Sequence, residues 1–323
     1  MSFKLVEAKL DNKWDRLVVD SKNGNIYNYS FYLKATNLNA KLFYCLKNQE
    51  LRAGIVLIEK DGKIVLDDLV VYNGIIYNKP TNKQNLSQMH SEQFQIQEFI
   101  ANELIKMYEH IEFCLHPSII DIRPILWVNY GTDLPKYKID VKYTSYVDIS
   151  DFRSAEKLED IKIYNNASAS RRQQIRYAIK KNYKTLKTDD VTKFIDFYIM
   201  TMARQNEVVS EEKLKGMYNI IKTLIDLKKG ALYASYDDKN EVGSMAFFGW
   251  DNKRAYYIFG ANDPSKRNGH TGTNVLWEAF YDLSKMGINE VDLEGINSPK
   301  RGWFKLSFGG DIRPYYEIKW SSE

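Results

Sequence analysis

The feature that most constrains this chain is an order of elements that appears twice along its 323 residues. Read by hydrophobic period, each half has two helices followed by a meander of strands, with a basic helix ahead of them in the second half. A helix, a strand, a short irregular or helical piece and a last strand then complete it. In the first half the helices fall at 11–21, where Trp14, Leu17 and Val18 share a side, and at 29–34. Strands at 41–47 and 51–59 lead to a Lys60-Asp61-Gly62-Lys63 turn, whose Asp-Gly pair suits a hairpin. Apolar stretches at 64–71 and 74–77 follow. A helix at 94–108 has Ile96, Phe99, Ile100, Leu104 and Met107 on its apolar face, and strands at 111–115 and 137–148 come after it. The second half starts with a basic helix from Ser170, which has Gln173 at capping-box spacing, and goes on to helices at 190–204 and 210–227. Strands at 231–236, 242–250 and 254–259 precede a helix at 273–285 that places Val275, Leu276, Ala279, Phe280 and Leu283 on one face and ends at Gly287. A strand at 290–293, a short helix at 301–308 and a strand at 314–320 close the chain. The polar, mixed-charge segment 150–166 separates the halves, so the expected division is 1–150 and 151–323. Two α/β domains of one fold, with mixed sheets, are expected.

Composition narrows the class of function. A hydrophobic content of 44% with 14% aromatic residues is that of a packed globule, not of a disordered chain. The formal charge of +4 leaves room for local basic patches without marking a nucleic-acid binder. Cys45 and Cys114 cannot build a disulfide framework, and His90, His110, His116 and His270 show no metal-ligand spacing with them. Both thiols therefore read as small core residues in a reducing compartment, and no metal is expected. The opening Met-Ser-Phe-Lys-Leu-Val-Glu has no signal-peptide core, and no apolar run is long enough to span a bilayer. A soluble, cytoplasmic protein is the expectation.

One stretch suggests chemistry. From Ala255 to Gly272 an apolar strand ends at Gly260, a loop holds Pro264, Lys266, Arg267 and Gly269, and Thr271-Gly272 opens an amphipathic helix. Strand, basic glycine-bearing loop and helix N-terminus make a geometry that holds anions, because unpaired N–H groups and the positive end of the helix dipole converge there. An ordinary strand-to-helix connection is the other reading. Arg172, Arg176, Lys180 and Lys184 recur every fourth residue along one face of the basic helix, with Ile175 and Ile179 on another. Such a face is either simply solvated or an anchor for a polyanion.

Four segments carry a resemblance. The second-half order resembles the GNAT acyltransferase fold. Ser170-Arg-Arg-Gln-Gln-Ile-Arg-Tyr-Ala-Ile-Lys-Lys, Tyr256-Tyr-Ile-Phe-Gly-Ala and the run from Asp292 to Gly310 are similar to the tandem-GNAT proteins of the Fem-type, non-ribosomal peptidyltransferase superfamily. With Asp121-Ile-Arg-Pro-Ile-Leu-Trp-Val-Asn-Tyr130, the likeness covers most of the chain. It implies two GNAT-like domains in tandem, an acyl-coenzyme A donor lying against a splayed strand at Ile258, Phe259 and Gly260, and its pyrophosphate at the next helix N-terminus. Lys266, Arg267, Gly269, Gly272 and Thr273 then become cofactor-binding candidates. The spacing departs from the usual GNAT loop, since two residues, His270 and Thr271, separate Gly269 from Gly272 where one is usual. No long segment with sustained heptad spacing matches the helical hairpin that some Fem-type ligases use on tRNA, which favours acyl-CoA over aminoacyl-tRNA as donor.

Amide formation from a thioester needs a neutral amine, a polarised carbonyl and an exit for the thiolate. An alkyl ammonium has a pKa near about 10.4, so a carboxylate, imidazole or relayed water must take its proton. A main-chain N–H around Ile258 to Gly260 can polarise the carbonyl. The base candidates are His90, Glu92, Asp121 and Glu294. His90-Ser91-Glu92 stands where a loop enters the first-half helix, so Ser91 either meets substrate or caps the helix. Asp121 and Arg123 form either a structural ion pair or a phosphate contact through Arg123. Trp127 and Tyr130 either stack on a ring or pack as core. Glu294 is a cleft carboxylate or a solvated strand end, and Lys305 is placed to reach an anion. The leading expectation is an N-acyltransferase moving an acyl group from acyl-CoA to an amino sugar, nucleotide-linked, for surface polysaccharide. The first domain would bind the acceptor and the second the donor. The alternatives are a Fem-type aminoacyl-tRNA-dependent transferase on a peptidoglycan precursor, which would also engage tRNA, and a non-catalytic saccharide- or nucleotide-binding protein.

Overall fold

A computed structural model describes residues 2–80 and 84–323, with Arg267, Asn268, Gly269 and Lys300 described in their backbone only. The chain forms two compact units, Met1–Lys142 with Pro314–Glu323, and Tyr143–Arg313.

The first unit opens with β1 (Phe3–Glu7), α1 (Asn12–Asp20), α2 (Ser30–Thr36), β2 (Ala40–Lys47) and β3 (Glu50–Lys60). There follow β4 (Lys63–Val65), β5 (Ile75–Tyr77), α3 (Leu86–Met107), β6 (His110–Cys114), α4 (Arg123–Leu126) and the start of β7 (Lys138–Asp148). One sheet runs β1-β2-β3-β4, and β5 also pairs with β3, antiparallel. Asp61 and Gly62 both take positive φ, 51° and 75°, as a tight hairpin between β3 and β4 requires. Helix α1 lies close on β3 because Gly54 has no side chain: a Cβ there would stand 2.7 Å from Leu17 and 2.9 Å from Trp14. The expected strand at 64–71 stops at Val65, since Asp67 turns the chain by accepting the Leu69 N–H at 2.8 Å. The core of this unit joins Ile55, Leu57, Ile96, Ile100, Leu104, Ile111 and Phe113.

The second unit takes the rest of β7 and then α5 (Lys162–Asn166), α6 (Ala169–Lys180), β8 (Lys184–Thr188), α7 (Val191–Ala203) and α8 (Glu211–Asp226). It continues with β9 (Gly230–Tyr236), β10 (Val242–Trp250), β11 (Ala255–Asn262), α9 (Thr271–Lys285), β12 (Glu290–Asp292) and α10 (Pro299–Leu306). The strand β13 (Asp311–Ser321) starts here and ends in the first unit. Within the unit the strands run β7-β12-β11-β10-β9-β8. The expected apolar face of α9, Val275, Leu276, Ala279, Phe280 and Leu283, is buried in the unit's core with Phe248, Val291 and Phe308. Two local expectations change. Ser168, not Ser170, caps α6 by accepting the Arg171 N–H at 3.2 Å, and Lys184 belongs to β8, so the row of four basic residues is not one helix face. Ile179 is exposed while Ile175 is buried.

The division at 142/143 differs from the expected 150 for a physical reason. Ile139 of β7 packs on the first unit's core and Val147 belongs to the second. Ile318 and Trp320, at the end of the chain, also pack in the first unit's core.

Candidate active site

In the second unit the central feature is β11. It pairs antiparallel with β10, but the register runs Phe247↔Phe259 and Phe248↔Tyr257, so Ile258 is skipped as a bulge. On the other side β12 pairs with it in parallel only at Ala255↔Val291 and Tyr256↔Asp292. Beyond Tyr256 that edge has no strand partner among the described residues. The Asn262 N–H and C=O both meet Thr201 Oγ1, at 2.9 and 3.0 Å, while the Asp263 N–H turns back to the Gly243 carbonyl at 2.9 Å. By strand alternation, the backbone N–H of Gly260 faces the same open edge as that of Asn262. A Cβ on Gly260 would collide with the Tyr257 hydroxyl, so this position must be glycine while Tyr257 stands as it does. Ile258 and Phe259 are buried.

Glu294 leaves the end of β12 in a left-handed conformation, φ 56°, and its N–H donates to Asp292 Oδ1 at 2.8 Å. Asp292 is fully buried and also accepts from Thr144. Lys305, on α10, donates its ammonium to the carbonyls of Glu294 and Gly295, at 3.0 and 3.3 Å, and lies 5.2 Å from the centre of the Tyr257 ring. Burial pushes the Glu294 carboxyl well above the usual carboxylate range, and the Lys305 cation opposes that shift. Burial likewise lowers Lys305. A carboxylate and an ammonium are thus both moved toward neutral pH beside the open edge of β11.

The N-terminus of α9 follows. His270 occupies its cap position with φ 56° and makes no side-chain cap, and no acidic residue stands in the first turn. Thr271 and Thr273 are buried. The Thr271 hydroxyl meets Ser244 Oγ at 2.8 Å, and Thr273 donates to Gln174 Oε1 at 2.6 Å, so Thr273 turns toward α6. Gly272 sits close to the Asn262 side chain, where a Cβ would come to 3.1 Å. Lys266 is paired with Glu241. Arg267 and Gly269 are described in their backbone only, so the expectation of anion contacts there lies outside the described residues.

Inside the first unit, a cavity of about 680 Å3 gathers several expected residues. His90, Glu92, Asp121 and Arg123 line it with Lys22, Asn23, Arg52 and Gln97. Helix α3 starts at Leu86 on an Asn85–Gln88 capping box, so His90-Ser91-Glu92 lie in its second turn and Ser91 is an exposed helical residue, not a cap. The polar first turns hid this start from a search for apolar periodicity. Glu92 is engaged by Arg52 through two hydrogen bonds and by Gln84 at 2.7 Å. Burial raises its pKa, but the Arg52 and Gln84 hydrogen bonds and nearby Lys47 outweigh this and hold it below the usual range, which suits an ion pair and not a base at neutral pH. Asp121 accepts two hydrogen bonds from the Arg123 guanidinium, at 2.8 and 2.7 Å, and one from its backbone N–H at 3.2 Å, and is likewise held low. Arg123 lies 5.9 Å from the Phe94 ring and 5.7 Å from that of Trp127. Trp127 and Tyr130 are exposed and so are not core.

Sequence reasoning passed over Arg52, Tyr257 and Arg171. The last two stand inside segments quoted above for their resemblance, so the signal was present without a role attached. Among the described residues no group of three or more His, Cys, Asp or Glu could hold a metal, and no helix is long and apolar enough to cross a membrane. Both cysteines are buried and free.

Residues 169–302 match the family described as acetyltransferase (GNAT) domain. No curated protein matches the chain in sequence. Among solved structures, FemX is 11% identical with a TM-score of 0.64, over 97% of this chain and 96% of that one. L-PGS from Bacillus licheniformis is 12% identical with a TM-score of 0.54, over 98% and 94%. A tandem GNAT protein from the clavulanic acid biosynthesis pathway is 8% identical with a TM-score of 0.53, over 99% and 98%. At such identities the likeness is one of fold. The chain shares its fold with these solved structures, a tandem GNAT protein among them, and most of its second unit matches the acetyltransferase (GNAT) domain.

Proposed function

We propose that the chain is an N-acyltransferase that moves an acyl group from acyl-CoA to the amine of an amino sugar, nucleotide-linked, in surface polysaccharide biosynthesis. The observation that carries this reading is the open edge of β11 at Gly260, with the shifted Glu294–Lys305 pair beside it. The α9 N-terminus next in the chain fits a diphosphate, being uncapped and without an acidic first turn. When bound, acyl-CoA supplies a thioester carbonyl open to attack. Glu294 takes one proton from the substrate ammonium, freeing the nitrogen lone pair. The Gly260 N–H donates to the carbonyl oxygen as negative charge grows there, and the Lys305 cation favours the same charge. The C–N bond forms as the C–S bond breaks, and the second nitrogen proton leaves with the sulfur as a thiol. In the first unit, the cavity lined by His90 and Arg123, with Trp127 beside Arg123, suits a polar acceptor that carries a phosphate and a planar ring.

Calorimetry with CoA and acetyl-CoA, followed by mass spectrometry of reactions with a panel of nucleotide-linked amino sugars, tests this. Binding of CoA and an N-acylated product are expected. If no CoA species binds, the reading fails; transfer from aminoacyl-tRNA but not from acyl-CoA would replace it with the Fem-type reaction.

A further inference from the structure

Arg171 is a buried guanidinium with no carboxylate partner among the described residues, and what it does hold is informative. Only 6% of it is exposed. Its Nε donates to Ser307 Oγ at 2.9 Å and one terminal nitrogen donates to the Phe304 carbonyl at 3.3 Å. The other bonds Gln174 Oε1 at 2.6 Å and Thr273 Oγ1. The guanidinium carbon lies 4.4 Å and 4.6 Å from the centres of the Phe304 and Phe308 rings. Thr273 is in the first turn of α9, while Phe304 and Ser307 flank Lys305. One side chain of α6 therefore fastens two elements that the proposed chemistry needs in register.

Arginine is suited to this task because its planar fork keeps several donors at fixed angles and its delocalised cation can lie against aromatic rings. A buried cation without a counter-charge costs stability, and nothing in ordinary packing requires one here. We infer that Arg171 is a positioning residue: through α10 it holds the Lys305 ammonium at Glu294, and through Thr273 it sets the first turn of α9 beside it. The inference rests on the acyl-transfer reading for its effect on rate, but not for its effect on Lys305 itself.

The charged and titratable groups that face Lys305 are Glu294 and Asp292 at the end of β12, Arg301 on its own helix and the Tyr257 ring from β11. If α10 loosens, Lys305 moves toward water and toward the pKa of a free lysine. Arg171→Lys keeps the charge and loses the fork, and Arg171→Met keeps much of the volume and loses both. NMR titration of the Lys305 side chain in the full-length protein is expected to show its pKa rising in both variants, at temperatures where far-UV circular dichroism shows each folded. In the acyl-transfer assay, kcat should fall about 10- to 100-fold, as small misplacements of catalytic groups do, with KM for acyl-CoA changing less in Arg171→Lys than in Arg171→Met. A Lys305 pKa unmoved in Arg171→Lys overturns the inference, and so does an unchanged kcat in either folded variant. If the wild-type chain acylates nothing, the acyl-transfer reading fails, and the Lys305 titration still decides the role of Arg171.

Discussion

Glu294 accepts a proton only when it is ionised. Its pKa is raised by burial and opposed by the Lys305 cation, so rate should climb as pH rises through a value above the ordinary carboxylate range. Glu294→Gln is expected to lower kcat by about 100- to 10,000-fold and to flatten that limb of the pH–rate profile. Lys305→Met removes the cation that holds Glu294 down, so the same limb should move to higher pH. Gly260 gives a second test at this scale. Gly260→Ala drives a methyl into the Tyr257 hydroxyl and should cost about 1–3 kcal/mol in chemical denaturation. Adding Tyr257→Phe removes the oxygen it strikes and should recover part of that loss; an additive double variant would contradict the contact. Of these residues, Glu294 could be singled out in the sequence as a carboxylate at a strand end and Lys305 as a cation placed to reach an anion. Their mutual shift could not, because it arises from burial by β11, β12 and α10 together.

At the scale of elements, caps and ladders decide where function sits. Ser168 and Ser170 are both plausible caps by composition, but only Ser168 has non-helical backbone, φ −58° and ψ 152°, and a bond to the Arg171 N–H. Ser168→Ala should therefore cost about 1 kcal/mol, and Ser170→Ala should stay within about 0.5 kcal/mol, both read by urea denaturation. The strand β11 was legible as an apolar run ending near Gly260. Its bulge at Ile258 and its open edge are not in that local pattern, because the first belongs to the pairing with β10 and the second to how few residues β12 lends on the other side. Helix α3 shows the converse. Its apolar face was evident from Ile96 onward, whereas its first two turns are polar and are held by the Asn85–Gln88 box. That shift of the helix start moves His90 and Glu92 from a loop into a helical wall of the first-unit cavity.

For the whole molecule, the chain's last ten residues return to the first unit. The residues Glu317 to Ser321 pair antiparallel with β6, and Ile318 and Trp320 join that unit's core. A chain ending at Arg313 is expected to lose the first unit's fold, since removing two large core side chains costs several kcal/mol, about 2–5 for each, against a total stability of about 5–15 kcal/mol. Loss of dispersed NMR methyl signals from Ile55, Ile100 and Ile111 would show it; a truncated chain that keeps them would refute it. By itself the sequence determined the α/β class, much of the order of elements though neither β1 nor β8, the faces of α1 and α9 and the hairpin at Asp61-Gly62. These follow from local periods, turn chemistry and apolar patterning, which act within a few residues of one another. Only the tertiary structure decided that Glu92 is tied to Arg52, that Arg171 is buried against two aromatic rings, and that Glu294 and Lys305 share one site. The shifts of Lys305 and Arg171 come first from burial, and the contacts around these groups join residues 11 to 136 apart, as for Lys305 with the Glu294 carbonyl and Arg171 with Ser307, so no local pattern records them.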